Sequence, residues 1–257
     1  MKIDDLKGIS EERKLTMLTA YDYQMAGILS KAGIDIILVG DSLGMVVLGY
    51  PDTRSVTLDD MIRHGRAVVK GARERGESLV VVDMPINTYN DPEIAVKNCQ
   101  KVIDETGCDG VKLEGEPEIV KSVVDAGINV MGHTGLKPQS AKTYKLQGKN
   151  EEDAENVLKE SVELEKVGCF ALVLECIPAS LTKIIEQNLK IPTIGIGASH
   201  LASGQVLVLN DMLGLNKKFA PKFLRRFADL ENQVFDAVQE YKKAVISEDF
   251  PSVNESY

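Results

Sequence analysis

Short runs of aliphatic and β-branched residues recur along the chain. They lie at Leu15–Tyr21, Ile34–Gly40, Leu79–Val82, Gly110–Leu113, Asn129–Gly132, Phe170–Leu174, Pro192–Gly197 and Gln205–Leu209. The most apolar, Ile36-Ile37-Leu38-Val39 and Leu79-Val80-Val81-Val82, do not alternate with polar residues. Unbroken apolar runs of strand length fit strands buried on both faces, as in a parallel sheet. Between them the period changes to that of a helix. Tyr23–Lys31, Leu58–Arg75, Pro92–Glu105, Pro117–Ala126, Glu151–Val167 and Ser180–Asn188 read as helices. Thr57 is placed to cap the second of these, and Asp91-Pro92 supplies a cap followed by an N1 proline for the third. Gly33, Gly107, Gly127 and Gly168 stand where left-handed helix ends are expected. Near the C-terminus, Phe223, Phe227, Leu230, Val234, Val238, Tyr241 and Val245 are spaced three or four apart. They predict one long amphipathic helix over Phe219–Ile246, serving either as the last barrel helix or as a subunit contact.

Strand followed by helix, about eight times, predicts an α/β fold: a (β/α)8 TIM barrel with a long C-terminal helix. The barrel is expected to take up 1–257 as a single domain, with the residues from Ser247 as a loose polar tail. A doubly wound open sheet is the alternative.

Charge and composition narrow the partners. The chain of 257 residues carries 30 Lys and Arg against 39 Asp and Glu, a formal net charge of −9. That field opposes nucleic acid and anionic membrane as partners. With no Trp and 5% aromatic residues, a base-stacking surface is not expected either. Cys99, Cys108, Cys169 and Cys176 form no C-x-x-C pair, and the histidines are only His64, His133 and His200, so a structural zinc site is not expected. The polar start of the chain lacks the apolar stretch of a signal peptide, and no run approaches the ~20 apolar residues of a membrane span. The cytoplasm is the expected location.

The acids carry the most information. Asp41, Asp83, Glu114 and Glu175 are each the first acid after an apolar run. Each is therefore expected at the carboxyl end of a barrel strand, the catalytic face of this fold. Any one of them could be a helix cap. Four around one mouth would repel, and a hard divalent cation would relieve this; oxygen ligands without a Cys/His cluster favour Mg²⁺ over zinc. Ser42 and His133 stand at the same mouth. Lys112 precedes Glu114 by two and so shares its side of the strand, where it must pair with acid or bind an anion. Gly195-Ile196-Gly197-Ala198 has neither a G-x-G-x-x-G continuation nor a Walker lysine, and reads as close backbone approach rather than a nucleotide site.

Eight segments, in order, resemble the ketopantoate hydroxymethyltransferase family. They are Leu18-Thr19-Ala20-Tyr21-Asp22-Tyr23, Val39-Gly40-Asp41-Ser42-Leu43-Gly44-Met45, Asp83-Met84-Pro85, Val111-Lys112-Leu113-Glu114-Gly115, Gly132-His133-Thr134-Gly135-Leu136 with Pro138-Gln139-Ser140, Val173-Leu174-Glu175-Cys176-Ile177-Pro178, Ile194-Gly195-Ile196-Gly197-Ala198 and Gly204-Gln205-Val206-Leu207-Val208. The resemblance implies a Mg²⁺-dependent (β/α)8 barrel. Its reaction transfers a hydroxymethyl group from 5,10-methylenetetrahydrofolate, a reduced pterin, to the 2-oxo acid 3-methyl-2-oxobutanoate, giving 2-dehydropantoate for pantothenate and coenzyme A. It further implies Asp41, Asp83 and Glu114 around the metal, and Asp41, Ser42, Asp83, Lys112 and His133 around the oxo acid. Glu175 would be the proton acceptor and the assembly a homodecamer. The sequence departs from the family pattern in a shorter segment Ser140–Gly148, at Ser199 in place of Gly, and at Asn210 in place of His. Two rivals remain at this level. One is a Mg²⁺-dependent 2-oxo acid C–C lyase of the phosphoenolpyruvate mutase/isocitrate lyase type; those enzymes use a loop cysteine, whereas Cys176 reads as core-facing. The other is a non-catalytic barrel, which leaves the four strand-end acids unexplained.

Overall fold

The computed structural model of the chain describes residues 1–141, 143 and 145–257. In chain order the elements are α1 (Asp5–Glu12), β1 (Leu15–Thr19), α2 (Tyr23–Lys31), β2 (Ile36–Val39), α3 (Leu43–Val46), α4 (Leu58–Arg75), β3 (Leu79–Asp83), α5 (Pro92–Thr106) and β4 (Gly110–Lys112). They continue with α6 (Pro117–Asp125), β5 (Val130–Gly135), α7 (Glu151–Lys166), β6 (Ala171–Glu175), α8 (Ala179–Asn188), β7 (Thr193–Ile196), β8 (Gly204–Leu207), α9 (Leu209–Met212) and α10 (Leu230–Ile246). The strands are parallel and each pairs with the next; β8 closes on β1, with Leu15 opposite Gly204 and Leu18 opposite Leu207. This is the closed (β/α)8 barrel, not the open sheet. Two compact units are distinguished: Met1–Val208, which holds the barrel, and Leu209–Tyr257, which holds α9 and α10.

Local sequence explains the element boundaries. Thr57 and Asp60 form a reciprocal capping box at the start of α4, and Asp91 accepts a hydrogen bond from the Ile94 N–H ahead of the N1 proline of α5. Gly33, Gly107, Gly127 and Gly168 all adopt positive φ at helix ends. Gly71 has a different purpose. A Cβ there would lie 2.1 Å from the Tyr23 carbonyl oxygen, so only glycine lets α4 approach α2 this closely.

The barrel core is one cluster that includes Leu15, Met17, Ile36, Leu38, Leu79, Val81, Met131, Ala171, Val173, Ile194 and Val206. Along β3, Leu79 and Val81 join this cluster while Val82 lies against Gly65 of α4, so Asp83 continues the inward phase. Leu6 of α1 is buried in the same cluster, with Met1, Ile3 and Ile9 packed against it. The N-terminal helix thereby covers the end of the barrel where the strands begin and leaves the opposite mouth for polar residues.

Two expectations are corrected. The helix expected over Phe219–Ile246 begins only at Leu230. Pro221 cannot donate to a helical ladder, and the Phe227 N–H bonds the Met212 carbonyl instead of a carbonyl four residues back. The Arg226 guanidinium meanwhile occupies the carbonyls of Lys217 and Phe219. The expected alternation of strand and helix also lapses once, because residues 197–203 between β7 and β8 form only turns. In α10 no residue is buried: Val234, Phe235, Val238 and Tyr241 are 49%, 60%, 54% and 60% exposed. Among the described residues, no helix is long and apolar enough to cross a membrane.

Candidate active site

Asp83 and Glu175 are the last residues of β3 and β6, and Asp41 and Glu114 each follow the end of β2 and β4 by two. None of them caps a helix, because the N-cap positions of α3, α5, α6 and α8 are Ser42, Asp91, Glu116 and Pro178. The capping alternative is thereby removed, and the four acids gather at one mouth. Among the described residues, no three His, Cys, Asp or Glu side chains are grouped so as to hold a metal ion by themselves.

Asp41, Asp83 and Lys112 form the inner part of the site. Asp83 and Lys112 are opposite each other in the β3–β4 register, and the Lys112 Nζ donates to Asp83 Oδ1 at 2.6 Å with both side chains buried. The other Asp83 oxygen accepts the Asp41 main-chain N–H at 3.1 Å. Asp41 Oδ2 accepts a hydrogen bond from Gln139 Nε2 at 2.9 Å. Burial and the neighbouring Asp83 charge push the Asp41 carboxyl up to about 7, against the pull of Lys112 and Gln139. For Lys112, burial disfavours the charge, but Asp83, Glu114 and Asp41 outweigh it and the net shift is upward, so it stays cationic. Gly40 leaves room for this arrangement: a Cβ there would meet Ser42 Oγ at 2.7 Å and Asp83 Oδ2 at 3.6 Å. Gly40→Ala should therefore push the Ser42 hydroxyl aside and break its 2.9 Å contact with the Tyr21 hydroxyl. A crystal structure of the variant with that contact intact would contradict this.

His133 stands between Glu114 and Glu175. Its Nε2 lies 2.7 Å from the Leu136 carbonyl oxygen, which can only accept, so the neutral ring carries its proton on Nε2. Burial, and after it the Lys112 charge, hold the His133 pKa well below the usual value. Nδ1 is then a buried lone pair without a hydrogen bond, 3.7 Å from Glu114 Oε1. Glu175 Oε2 lies 3.5 Å from the Nε2 side. Burial raises both Glu114 and Glu175 to about 8; repulsion from Asp41 and Asp83 adds to both, and that of Glu114 adds further to Glu175. Side-chain exposure separates the two: Glu114 is 5% exposed and Glu175 17%. Glu175 is the acid that a ligand entering the mouth would meet.

Further groups border these. Ser42 Oγ is 2.9 Å from the Tyr21 hydroxyl. The Thr53 hydroxyl is buried near Asp41, where it favours the carboxylate without a formed hydrogen bond. A cavity of about 260 Å³ opens beside Glu114 and Gln139, lined also by Ile86, Asn87, Tyr89 and Ile119.

All seven residues singled out from the sequence, Asp41, Ser42, Asp83, Lys112, Glu114, His133 and Glu175, thus stand at one end of the barrel. The model of the ketopantoate hydroxymethyltransferase family matches residues 1–253. The chain belongs to the ketopantoate hydroxymethyltransferase family. It is 48% identical over 264 residues to the 3-methyl-2-oxobutanoate hydroxymethyltransferase of Prosthecochloris aestuarii, covering 100% of this chain and 95% of that one. With the enzyme of the same name from Phocaeicola vulgatus it shares 50% over 251 residues, covering 95% and 91%. Among solved structures it resembles 2,3-dimethylmalate lyase, a phosphoenolpyruvate mutase/isocitrate lyase superfamily member. The TM-score is 0.62 at 15% identity, over 99% of this chain and 90% of that one, which is a likeness of fold.

For a ketopantoate hydroxymethyltransferase, three features were not drawn from the sequence. Gln139, Tyr89 and Tyr21 support the site from loops and the end of β1, where no periodicity marks an inward side chain. Gln139 and Tyr21 both lie within family-like segments, the signal that points to them, whereas Tyr89 lies in none. Cys176, read as core-facing, is half-buried instead, with φ 49°; its N–H bonds the Ile196 carbonyl and its own carbonyl accepts from Gln147. Of the segment Ser140–Gly148, Lys142 and Tyr144 lie outside the described residues.

Proposed function

We propose that this member of the family carries out the reaction of its relatives' name: transfer of a hydroxymethyl group to 3-methyl-2-oxobutanoate, giving 2-dehydropantoate. The donor would be 5,10-methylenetetrahydrofolate. The observation that carries the reading is the division of the acids. Asp41 and Asp83 are in contact beside a buried lysine, while Glu175, with a raised pKa, stands on β6, four strands from β2 around the closed barrel.

The donor set fits Mg²⁺. Asp41 and Asp83 offer hard oxygen atoms, and the pKa of Asp41 is raised by burial and then by the Asp83 charge, a repulsion that a divalent cation would relieve. Mg²⁺ keeps several non-protein ligands, which agrees with a site of few protein carboxylates. Asp41 and Asp83 would hold it and Glu114 would complete its surroundings. When bound, the cation would draw charge from the keto oxygen and so favour loss of the C3 proton. Lys112 neutralises the buried acids and the substrate carboxylate. Ser42, held by Tyr21, orients the oxo acid, and His133, neutral, fixes the space between Glu114 and Glu175. Glu175 takes the proton from C3. The C3 carbanion would then form a C–C bond to the methylene carbon of the donor as one C–N bond to that carbon breaks, and a water would displace the remaining pterin nitrogen, supplying the hydroxyl oxygen and releasing tetrahydrofolate.

The test is exchange of the C3 proton of 3-methyl-2-oxobutanoate in D₂O, with and without Mg²⁺ and before any donor is added. Mg²⁺-dependent exchange is expected; its absence, together with no product when the folate donor is supplied, would overturn the reading.

The reaction's substrates are small molecules, and we place the protein in the cytoplasm as one functional domain over 1–257. The bare apolar face of α10 supports a homo-oligomer, with a homodecamer as the specific form. Light scattering at micromolar concentration should give a multiple of the chain mass; a monomer would contradict it.

A further inference from the structure

Gln139 is 3% exposed, yet its side chain and main chain make four polar contacts with the site. Nε2 donates to Asp41 Oδ2 at 2.9 Å and to the Met84 carbonyl at 2.9 Å. The main-chain N–H donates to Glu114 Oε2 at 3.2 Å. Oε1 accepts from the Tyr89 hydroxyl. The amide orientation is determined by these partners. A carbonyl and a carboxylate both call for donors, so the NH₂ must face them, and Oε1 is left for the tyrosine. One residue thereby ties together the loops that follow β2, β3 and β4. Its own segment is held in turn, because the Ser140 and Ala141 N–H groups bond the Lys137 carbonyl and the Lys137 ammonium pairs with Glu160 of α7.

We infer that Gln139 is a positioning residue for the divalent cation: it holds the Asp41 carboxylate in place through Oδ2, and Tyr89 holds Gln139. The inference rests on the reading of Asp41 and Asp83 as metal carboxylates. Gln139 would act on the cation through Asp41. A hydrogen-bond donor on a metal carboxylate removes its freedom to swing away before the ion arrives. Loss of such a partner typically weakens metal affinity 10–100-fold.

Gln139→Glu keeps the shape and replaces the donor facing Asp41 with an acceptor. Tyr89→Phe leaves Gln139 in place and frees only its Oε1. Mg²⁺ affinity is measured by calorimetry on the intact protein without substrate, and Mg²⁺-dependent C3 proton exchange is followed in parallel. Gln139→Glu should raise the Mg²⁺ dissociation constant by about 10–100-fold, and Tyr89→Phe should raise it by a smaller factor. In both, the maximal exchange rate at saturating Mg²⁺ should return close to the wild-type value, since the residue acts on occupancy. A purely structural role would lower Tm and leave Mg²⁺ affinity alone. An unchanged dissociation constant in the folded variants overturns the proposal; if Gln139→Glu does not fold, Tyr89→Phe alone decides it. Should the wild type bind no Mg²⁺ at all, the metal reading of Asp41 and Asp83 fails first and this inference with it. Unchanged affinity in variants of a Mg²⁺-binding wild type sinks only the role of Gln139.

Discussion

Glu175→Gln is expected to lower the C3 proton exchange of 3-methyl-2-oxobutanoate by about 10²–10⁴-fold, the usual worth of a positioned general base. Mg²⁺ and oxo-acid binding should stay near the wild-type values, because Gln keeps the shape and the residue stands apart from Asp41 and Asp83. Burial is what would make Glu175 a usable base in the proposed reaction. It raises the carboxyl to about 8, with the repulsion of Glu114 adding to it, whereas an ordinary glutamate would be too weak a base for a carbon acid. In the wild type, exchange should rise with pH as Glu175 loses its proton, and flatten above about 8. The same burial has a cost in stability. A carboxyl whose pKa is higher folded than unfolded holds more protons in the native state, so stability declines as pH rises from the unfolded value toward about 8. Glu175→Gln removes that decline. Without added Mg²⁺ at pH 8–9 it should melt about 2–8 °C above the wild type, with no gain at acid pH. Wild-type exchange in the Gln variant would transfer the base role to water or to His133.

Lys112→Met should abolish measurable turnover and lower stability by about 3–5 kcal/mol, as expected when one partner of a buried ion pair is removed. Methionine fills the space of the stem but leaves the Asp83 oxygen at 2.6 Å without its cation, with Asp41 and Glu114 nearby. The acids would take up protons, so the loss should be largest above neutral pH and small in acid. Adding Asp83→Asn should recover much of the stability, because the uncompensated charge disappears, and none of the activity, because a proposed metal carboxylate has gone as well. Denaturant titrations of the single and double variants measure this coupling. A double variant no more stable than Lys112→Met would show that the pair does not carry the charge balance of the mouth.

Much of the fold was legible in the chain. Runs such as Ile36–Val39 and Leu79–Val82 are apolar on both faces, and that alone implies burial between a barrel interior and a layer of helices. Asp41, Asp83, Glu114 and Glu175 were legible for a related reason. A barrel strand ends where the apolar run ends, so the first acid after the run marks the catalytic mouth. The spacing that predicts a helix over Phe219–Ile246 does not report that Arg226 takes the carbonyls of Lys217 and Phe219, so the helix starts only at Leu230.

What the chain by itself determined is therefore the period, the closed αβ repeat, the mouth acids and the family. These follow from residue types at local spacing, which act through backbone geometry and burial. Only the tertiary structure decided how the acids differ from one another. Asp41 meets Asp83 because β2 and β3 are neighbours, and Lys112 meets Asp83 because the β3–β4 register sets them opposite. His133 loses its charge through burial beside Lys112, and Gln139 reaches Asp41 across 98 positions of chain. Electrostatic energies depend on distance and on exclusion of water, and neither is a property of sequence separation.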